Sequence, residues 1–170
     1  MDIKLSINYD GVVIINDNQI SCFDYDYNPK PFNLVYQNDT YVLTKGNVNQ
    51  HCFNVDIVIR SLSVEGGLCH LKTKYDDFFT IFLRSAKLHL YENVYNRFII
   101  ASLIDSQLIG NTITEKLYIQ SDKSIIKGFR ADYLYINAFN YTFIKVEGSI
   151  KVLNKDDTSN IIINSFKSNL

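Results

Sequence analysis

The chain has 170 residues, of which 46 % are apolar, so it is long enough to form one domain with a sizeable core. Its 17 basic and 18 acidic side chains leave a net charge of −1. Because it lacks the basic surplus of proteins that neutralise phosphates, we expect no nucleic-acid partner. No apolar run approaches the ~20 residues of a membrane helix, and the first residues lack a basic segment followed by an apolar one, so we expect neither membrane insertion nor a signal peptide.

The cysteine count and the residue usage bear on the compartment and the source. Three cysteines, an odd and low number, predict free thiols in a reducing compartment rather than a disulfide framework. We therefore expect a cytoplasmic protein, or one in a host cytosol if it is exported by a non-standard route. Ile, Asn, Lys, Tyr and Asp are abundant and have A/T-rich codons, which suggests an AT-rich genome such as that of a virus or a pathogen.

The first 50 residues alternate apolar and polar side chains in short runs that are typical of strands. Asp10-Gly11 and Asn38-Asp39 lie between such runs, and these residue types tolerate the positive φ angles of tight hairpin turns. Pro29 and Pro31 exclude a central strand between the two hairpins. The sequence therefore predicts an N-terminal hairpin cap in residues 1–50, followed by transitional strands in residues 51–78.

From residue 79 onwards apolar side chains recur at a step of 18 residues, in two columns nine residues apart. The tripeptide Leu-Tyr-Ile also occurs twice, at Leu117–Ile119 and Leu134–Ile136. Such repetition predicts a coil, because one turn cannot bury its own apolar face and must stack on the next. Residues 79–170 are thus predicted to form a short parallel β-helix, a β-solenoid with about 18 residues per turn. The columns are Leu90, Leu108, Ile126, Ile144 and Ile162, and Ile81, Ile99, Leu117, Tyr135 and Leu153.

The whole chain is predicted to be all-β and to form one continuous domain. Gly110, Gly128 and Gly148 fall near the predicted corners, where a residue without a Cβ relieves a tight bend. An antiparallel β-sandwich or jelly roll is the alternative fold, because it contains the same short strands. It gives no reason, however, for the near-equal spacing of the columns.

The pairs His51-Cys52 and Cys69-His70 mirror each other at a separation of 18 residues. Stacked turns would place His51 beside Cys69 and Cys52 beside His70, and four such ligands can form a tetrahedral zinc site. Adjacent residues of a strand point to opposite faces, however, and neither pair has the usual Cys-x2-4-Cys spacing. We therefore predict no metal and no cofactor, with these four residues as the only metal candidates.

Tyr118 and Tyr135, the central residues of the two Leu-Tyr-Ile copies, are predicted to point outward and to stack on one face of the coil. His89, between Leu88 and Leu90, is predicted to join that face. An aromatic stripe of this kind can bind a protein or a sugar. The simpler interpretation is that the rings stabilise the sheet by stacking across turns.

No catalytic residue is predicted. The three histidines are not part of any recognisable nucleophile motif. The carboxylate pairs Asp76-Asp77 and Asp156-Asp157 are neighbours in turn-like stretches, whereas a glycosidase needs two carboxylates on opposite sides of its substrate. We therefore expect that the protein is not an enzyme.

Residues 108–153 resemble the repeats of the bactofilin family, the polymer-forming β-helices of the bacterial cytoskeleton. Val146–Ile150 matches the family's apolar-x-Gly-x-Ile unit, and Leu108–Thr112 matches it except at the last residue. Adhesin-type β-helix repeats share such patterns, and the chain's seven glycines are fewer than the family has at its turns. The resemblance implies a scaffold that assembles end to end, and no individual functional residue is carried over.

These observations lead us to expect a structural or self-assembling scaffold. Its partner would be itself, by end-to-end or side-by-side assembly, or another protein. One alternative is a host- or glycan-interaction module of a virus or pathogen that uses the aromatic face. The other is a carbohydrate-active β-helix enzyme, which would require a charged cluster in a groove.

Overall fold

The computed structural model describes residues 1–92 and 95–165, and within these ranges it contains fifteen strands and no helix. The strands are short at the N-terminus and long near the C-terminus, where single strands pass through a bend. In chain order they are β1 Asp2–Asn8, β2 Val12–Asn16, β3 Gln19–Phe23, β4 Phe32–Gln37, β5 Thr40–Lys45, β6 His51–Cys52, β7 Val58–Glu65, β8 Leu68–Lys72, β9 Tyr75–Arg84, β10 Lys87–Leu90, β11 Tyr95–Ile104, β12 Gln107–Asp122, β13 Ile125–Phe139, β14 Phe143–Lys155 and β15 Asn160–Asn164.

Successive turns of the chain pair in parallel, which makes the fold a β-solenoid of about six turns. One side, here called the front sheet, consists of β1, β7, β9 and β11 and the second halves of β12, β13 and β14. The other side, the back sheet, consists of β2, β8 and β10, the first halves of β12 to β14, and β15. This confirms the predicted parallel coil, and the antiparallel sandwich is wrong.

The two Leu-Tyr-Ile copies are neighbours in the front sheet, residue for residue: Leu117 pairs with Leu134 and Tyr118 with Tyr135. The constant step of 18 residues is wrong at the ends of the repeat, because the turns differ in length. Leu88 rather than Leu90 pairs with Leu108, twenty residues later. The observed columns are Leu88, Leu108, Ile126, Ile144 and Ile161 in the back sheet, and Ile81, Ala101, Ile119, Ile136 and Leu153 in the front sheet.

A ladder of buried hydroxyl groups holds the last four corners between a front strand and the following back strand. The chain turns through residues with positive φ, such as Asp105 and Lys123, and the next residue is a buried serine or threonine. The N–H group of Ser106 donates to the Oγ of Ser124 at 3.0 Å, and that of Thr142 donates to the Oγ of Ser159 at 3.2 Å. Each buried backbone donor at the corner is thereby satisfied by the next turn.

The opposite corner requires glycine because the turns approach each other closely there. Gly128 has a φ of 88°, and a Cβ at this position would collide with the carbonyl oxygen of Gly110. A Cβ on Gly148, one turn later, would likewise collide with the carbonyl oxygen of Ala131. A side chain at either position would push two turns of the coil apart.

The hairpin predicted at Asn38-Asp39 is confirmed as β4 and β5. The hairpin predicted at Asp10-Gly11 is wrong, because β1 and β2 do not pair with each other and Asp10-Gly11 lies at a corner of the first turn of the coil. That turn is formed by β1 and β2, and the second by β7 and β8 from the segment predicted as transitional. β3 pairs antiparallel with β2, while the hairpin of β4 and β5 places β5 along the outer edge of β1. The N-terminal edges of both sheets are therefore covered by the chain itself.

Candidate functional site

The outer surface of the front sheet carries a stack of aromatic rings that includes both predicted tyrosines. The rings of Tyr118 and Tyr135 lie parallel, with centroids 4.2 Å apart and 2° between their planes. Phe98 packs on Tyr118 at 4.9 Å. One face of each tyrosine ring is thus covered by the other ring, and Phe98 packs at a tilt against Tyr118.

This stack belongs to a wider apolar surface that sequence reasoning missed. Phe78, Phe82 and Ile100 are exposed on the same sheet, and each alternates with an inward residue of its strand. A row of amides runs beside them, in which Asn154 Nδ2 donates to Asn137 Oδ1 at 2.9 Å. The alternation of inward and outward apolar side chains in Tyr75–Arg84 could have indicated this surface from the sequence. A groove of about 390 Å³ lies on this surface and is lined by Ile100, Tyr118, Gln120, Tyr135, Asn137 and Val152.

His89 does not join the tyrosines, and that prediction is wrong because β10 follows a corner and lies in the back sheet. There its ring stacks on Tyr91, with centroids 4.1 Å apart, and lies 6.0 Å from the ring of His70. His70 is held between two phenols: Tyr91 Oη lies 2.8 Å from its Nδ1, and Tyr27 Oη lies 3.3 Å from its Nε2. Burial, with nearby positive charge, lowers the pKa of both histidines, so they are neutral at neutral pH.

The four predicted metal candidates do not meet. His51 and Cys52 lie in β6 and Cys69 and His70 in β8, with β3 and β2 between them. Cys69 is buried in the core, where desolvation raises the pKa of its thiol, whereas His70 points outward. Among the residues that the structure describes, no three His, Cys, Asp or Glu side chains are placed to hold a metal ion.

Asp156, a member of the carboxylate pair Asp156-Asp157, accepts hydrogen bonds at the last corner of the coil. Its carboxylate accepts hydrogen bonds from the Asn140 N–H at 2.8 Å, the Thr158 hydroxyl at 2.9 Å and the Ser159 N–H at 3.1 Å. These donors lower the pKa of Asp156 to about 2. The carboxylate therefore stabilises the corner as an anion.

The C-terminal end of the coil is the place where the core reaches the surface. Leu153 pairs with the fully buried Ile136 of the preceding turn, yet it is 44 % exposed. Ile150 is 41 % exposed, and Ile161 and Ile163 of β15 are half-buried. Within residues 1–92 and 95–165, no strand pairs with the outer edge of β15 or with that of the second half of β14.

Comparisons with protein-family models, with curated proteins and with solved structures find no match to this chain. The likeness to bactofilin repeats therefore stays a prediction from the sequence. None of the described segments is a helix of the length and hydropathy that a membrane span needs.

Proposed function

We propose that this protein is a non-enzymatic structural protein whose coil associates with further copies through its C-terminal end. The observation that carries the proposal is the exposure of Leu153 and Ile150, which continue columns that are buried in every preceding turn. Apolar area left in water and unpaired backbone groups along a strand edge both favour association. A solenoid needs a cap or a partner at each end.

The edge strand β15 supports this proposal because it lacks the features that keep sheet edges apart. Its sequence, Asn160–Asn164, contains three consecutive isoleucines and neither a charged residue nor a proline. Natural proteins commonly place lysine, proline or a bulge on an exposed edge to prevent pairing with another chain. β15 is therefore suited to contact with a second chain.

Light scattering over a range of protein concentrations tests the proposal, with two neighbouring substitutions as the matched pair. Leu153→Lys places a charge in the open core and should leave a monomer. Asn154→Lys adds the same charge one residue later, on the outer face, and should preserve the assembly. Circular dichroism controls for folding of both variants. A monomeric wild-type protein at the highest concentration would contradict the proposal.

A second candidate function, an interaction module, is favoured by the apolar surface around Tyr118 and Tyr135. One face of each ring already contacts the other ring, and Phe98 packs on Tyr118, which favours a flat protein surface over a sugar, since sugars bind to free ring faces. The double variant Tyr118→Ala/Tyr135→Ala separates the two candidates. Unchanged oligomers with loss of a protein partner indicate an interaction module, and loss of oligomers indicates side-by-side assembly through this surface.

A further inference from the structure

We infer that the assembly closes as a two-fold dimer, in which the C-terminal turn of one copy contacts the C-terminal turn of a second copy. The inference rests on the proposed self-association and specifies its geometry. A tail-to-tail joint uses the open end of each copy and leaves two capped ends outward, so it cannot grow into a filament.

The capped N-terminal end cannot receive the C-terminal end of another copy. The inward side chains of the first turn, such as Leu5 and Ile15, are at most 1 % exposed. They are covered by Ile20 of β3 and Leu43 of β5, which are themselves fully buried. A head-to-tail contact would have to displace these capping strands, and it would lose the burial that they provide.

The C-terminal end, in contrast, is complementary to itself. A two-fold axis perpendicular to the coil makes the last strands of the two copies antiparallel across the joint, an arrangement in which N–H and C=O groups pair well. The inward side chains of both last turns, including Leu153, Ile161 and Ile163, would meet and continue one core through the joint.

The charges near this edge also permit a symmetric joint. In a two-fold contact a residue close to the axis lies near its own counterpart, so a cation there would meet an equal charge. The Lys151 ammonium lies over the ring of Tyr133, 5.0 Å from its centroid. Lys155 Nζ donates to the carbonyl oxygens of Asp156 and Ser159 at 3.4 and 3.3 Å. Lys151 is thus directed towards the preceding turn, Lys155 is held by carbonyl groups of its own corner, and β15 has no charge.

Distances between spin labels test this geometry in the full chain. Cys52→Ser removes the exposed thiol, while Cys22 and Cys69 are buried and unreactive. One label is then placed at the open end by Asp157→Cys, and in a separate protein one label is placed at the cap by Gln37→Cys. The front sheet runs through nine strands from β4 to the second half of β14, so at about 4.8 Å per strand tail-to-tail packing separates the two Gln37→Cys labels by about 80 Å. We expect a clearly shorter distance between the Asp157→Cys labels.

An equimolar mixture of the two labelled proteins distinguishes the possible failures. A dimer at every concentration above its dissociation constant, with no short distance between the two kinds of label, supports the two-fold joint. Particles that grow with concentration and show a short distance between the two kinds of label overturn it, while the proposed self-association stands. A monomer throughout overturns both proposals.

Discussion

The first and last turns of the coil present similar apolar side chains but differ in what covers them. Leu5 in the first turn is 1 % exposed, because β5 lies along the outer edge of its strand. Leu153 occupies an inward position of the last turn and is 44 % exposed. One end is therefore completed by the chain itself, whereas no strand within residues 1–92 and 95–165 covers the other. In a stacked fold the covering of the end turns decides whether the protein stays monomeric.

The largest expected effect comes from removing the same side chain at the two ends. Leu43→Ala in the cap leaves a cavity in a fully buried site and should cost about 2–5 kcal/mol of unfolding free energy. Leu153→Ala at the open end should cost less than about 1 kcal/mol, because much of the side chain already contacts water. Urea unfolding in dilute solution measures both values. Equal costs would show that the C-terminal end is covered like the N-terminal end.

A smaller effect is expected from the hydroxyl ladder inside the coil. Ser124 Oγ accepts the buried N–H of Ser106 and donates to the carbonyl of Asp122 at 2.8 Å. Ser124→Ala leaves that N–H without a partner and should cost about 1–3 kcal/mol. Ser149→Ala, in the exposed half of β14, is the control and should be close to neutral. The comparison fails if both substitutions cost the same in urea unfolding.

The smallest effect concerns acid, which should loosen both ends of the molecule. Asp24 in the cap loop accepts the N–H groups of Asp26 and Asn28 at 2.9 Å, and these bonds lower its pKa. Asp156 holds the last corner, with a pKa of about 2 against an ordinary 3.8. A carboxylate whose pKa is lowered by folding stabilises the folded protein at pH values above its ordinary pKa. This stabilisation is lost as the pH falls from the ordinary pKa to the lowered pKa of the folded state.

For Asp156 this window lies between about pH 3.8 and pH 2. Melting temperatures measured from pH 5 downwards should therefore fall in this window. Asp156→Asn should reduce the part of the fall in melting temperature that comes from the last corner. Asp24→Asn should reduce the part that comes from the cap loop. If Asp156→Asn leaves the pH dependence unchanged, the corner carboxylate does not contribute to it.

Much of the coil could be predicted from the sequence because stacking places like residues side by side. The two Leu-Tyr-Ile copies pair residue for residue, and Tyr118 lies outward beside Tyr135 as predicted. A single fixed step could not predict which residues pair in every turn, since the corners differ in length between turns. A hydroxyl residue also recurs just before each of the last four back-sheet strands, at Ser106, Ser124, Thr142 and Ser159, and this usable signal was missed beside the apolar columns.

The predictions for His89 and the metal candidates failed for one shared reason: they needed to know which sheet each strand joins. A corner at Ser85 sends β10 to the back sheet, and β2 and β3 separate β6 from β8. Such placements depend on where the chain bends, and the side-chain pattern of a strand does not record that.

By itself, the sequence determined the strand content, the parallel coil and the outward tyrosines, because alternation and repetition are local properties of the chain. Only the tertiary structure decided which end of the coil is closed. That outcome depends on β3 and β5 returning from distant positions in the sequence to cover the first turn, while no described strand does so for the last. The burial of an apolar residue is set by its neighbours in space, so Leu5 and Leu153 look alike in sequence and differ in the folded protein.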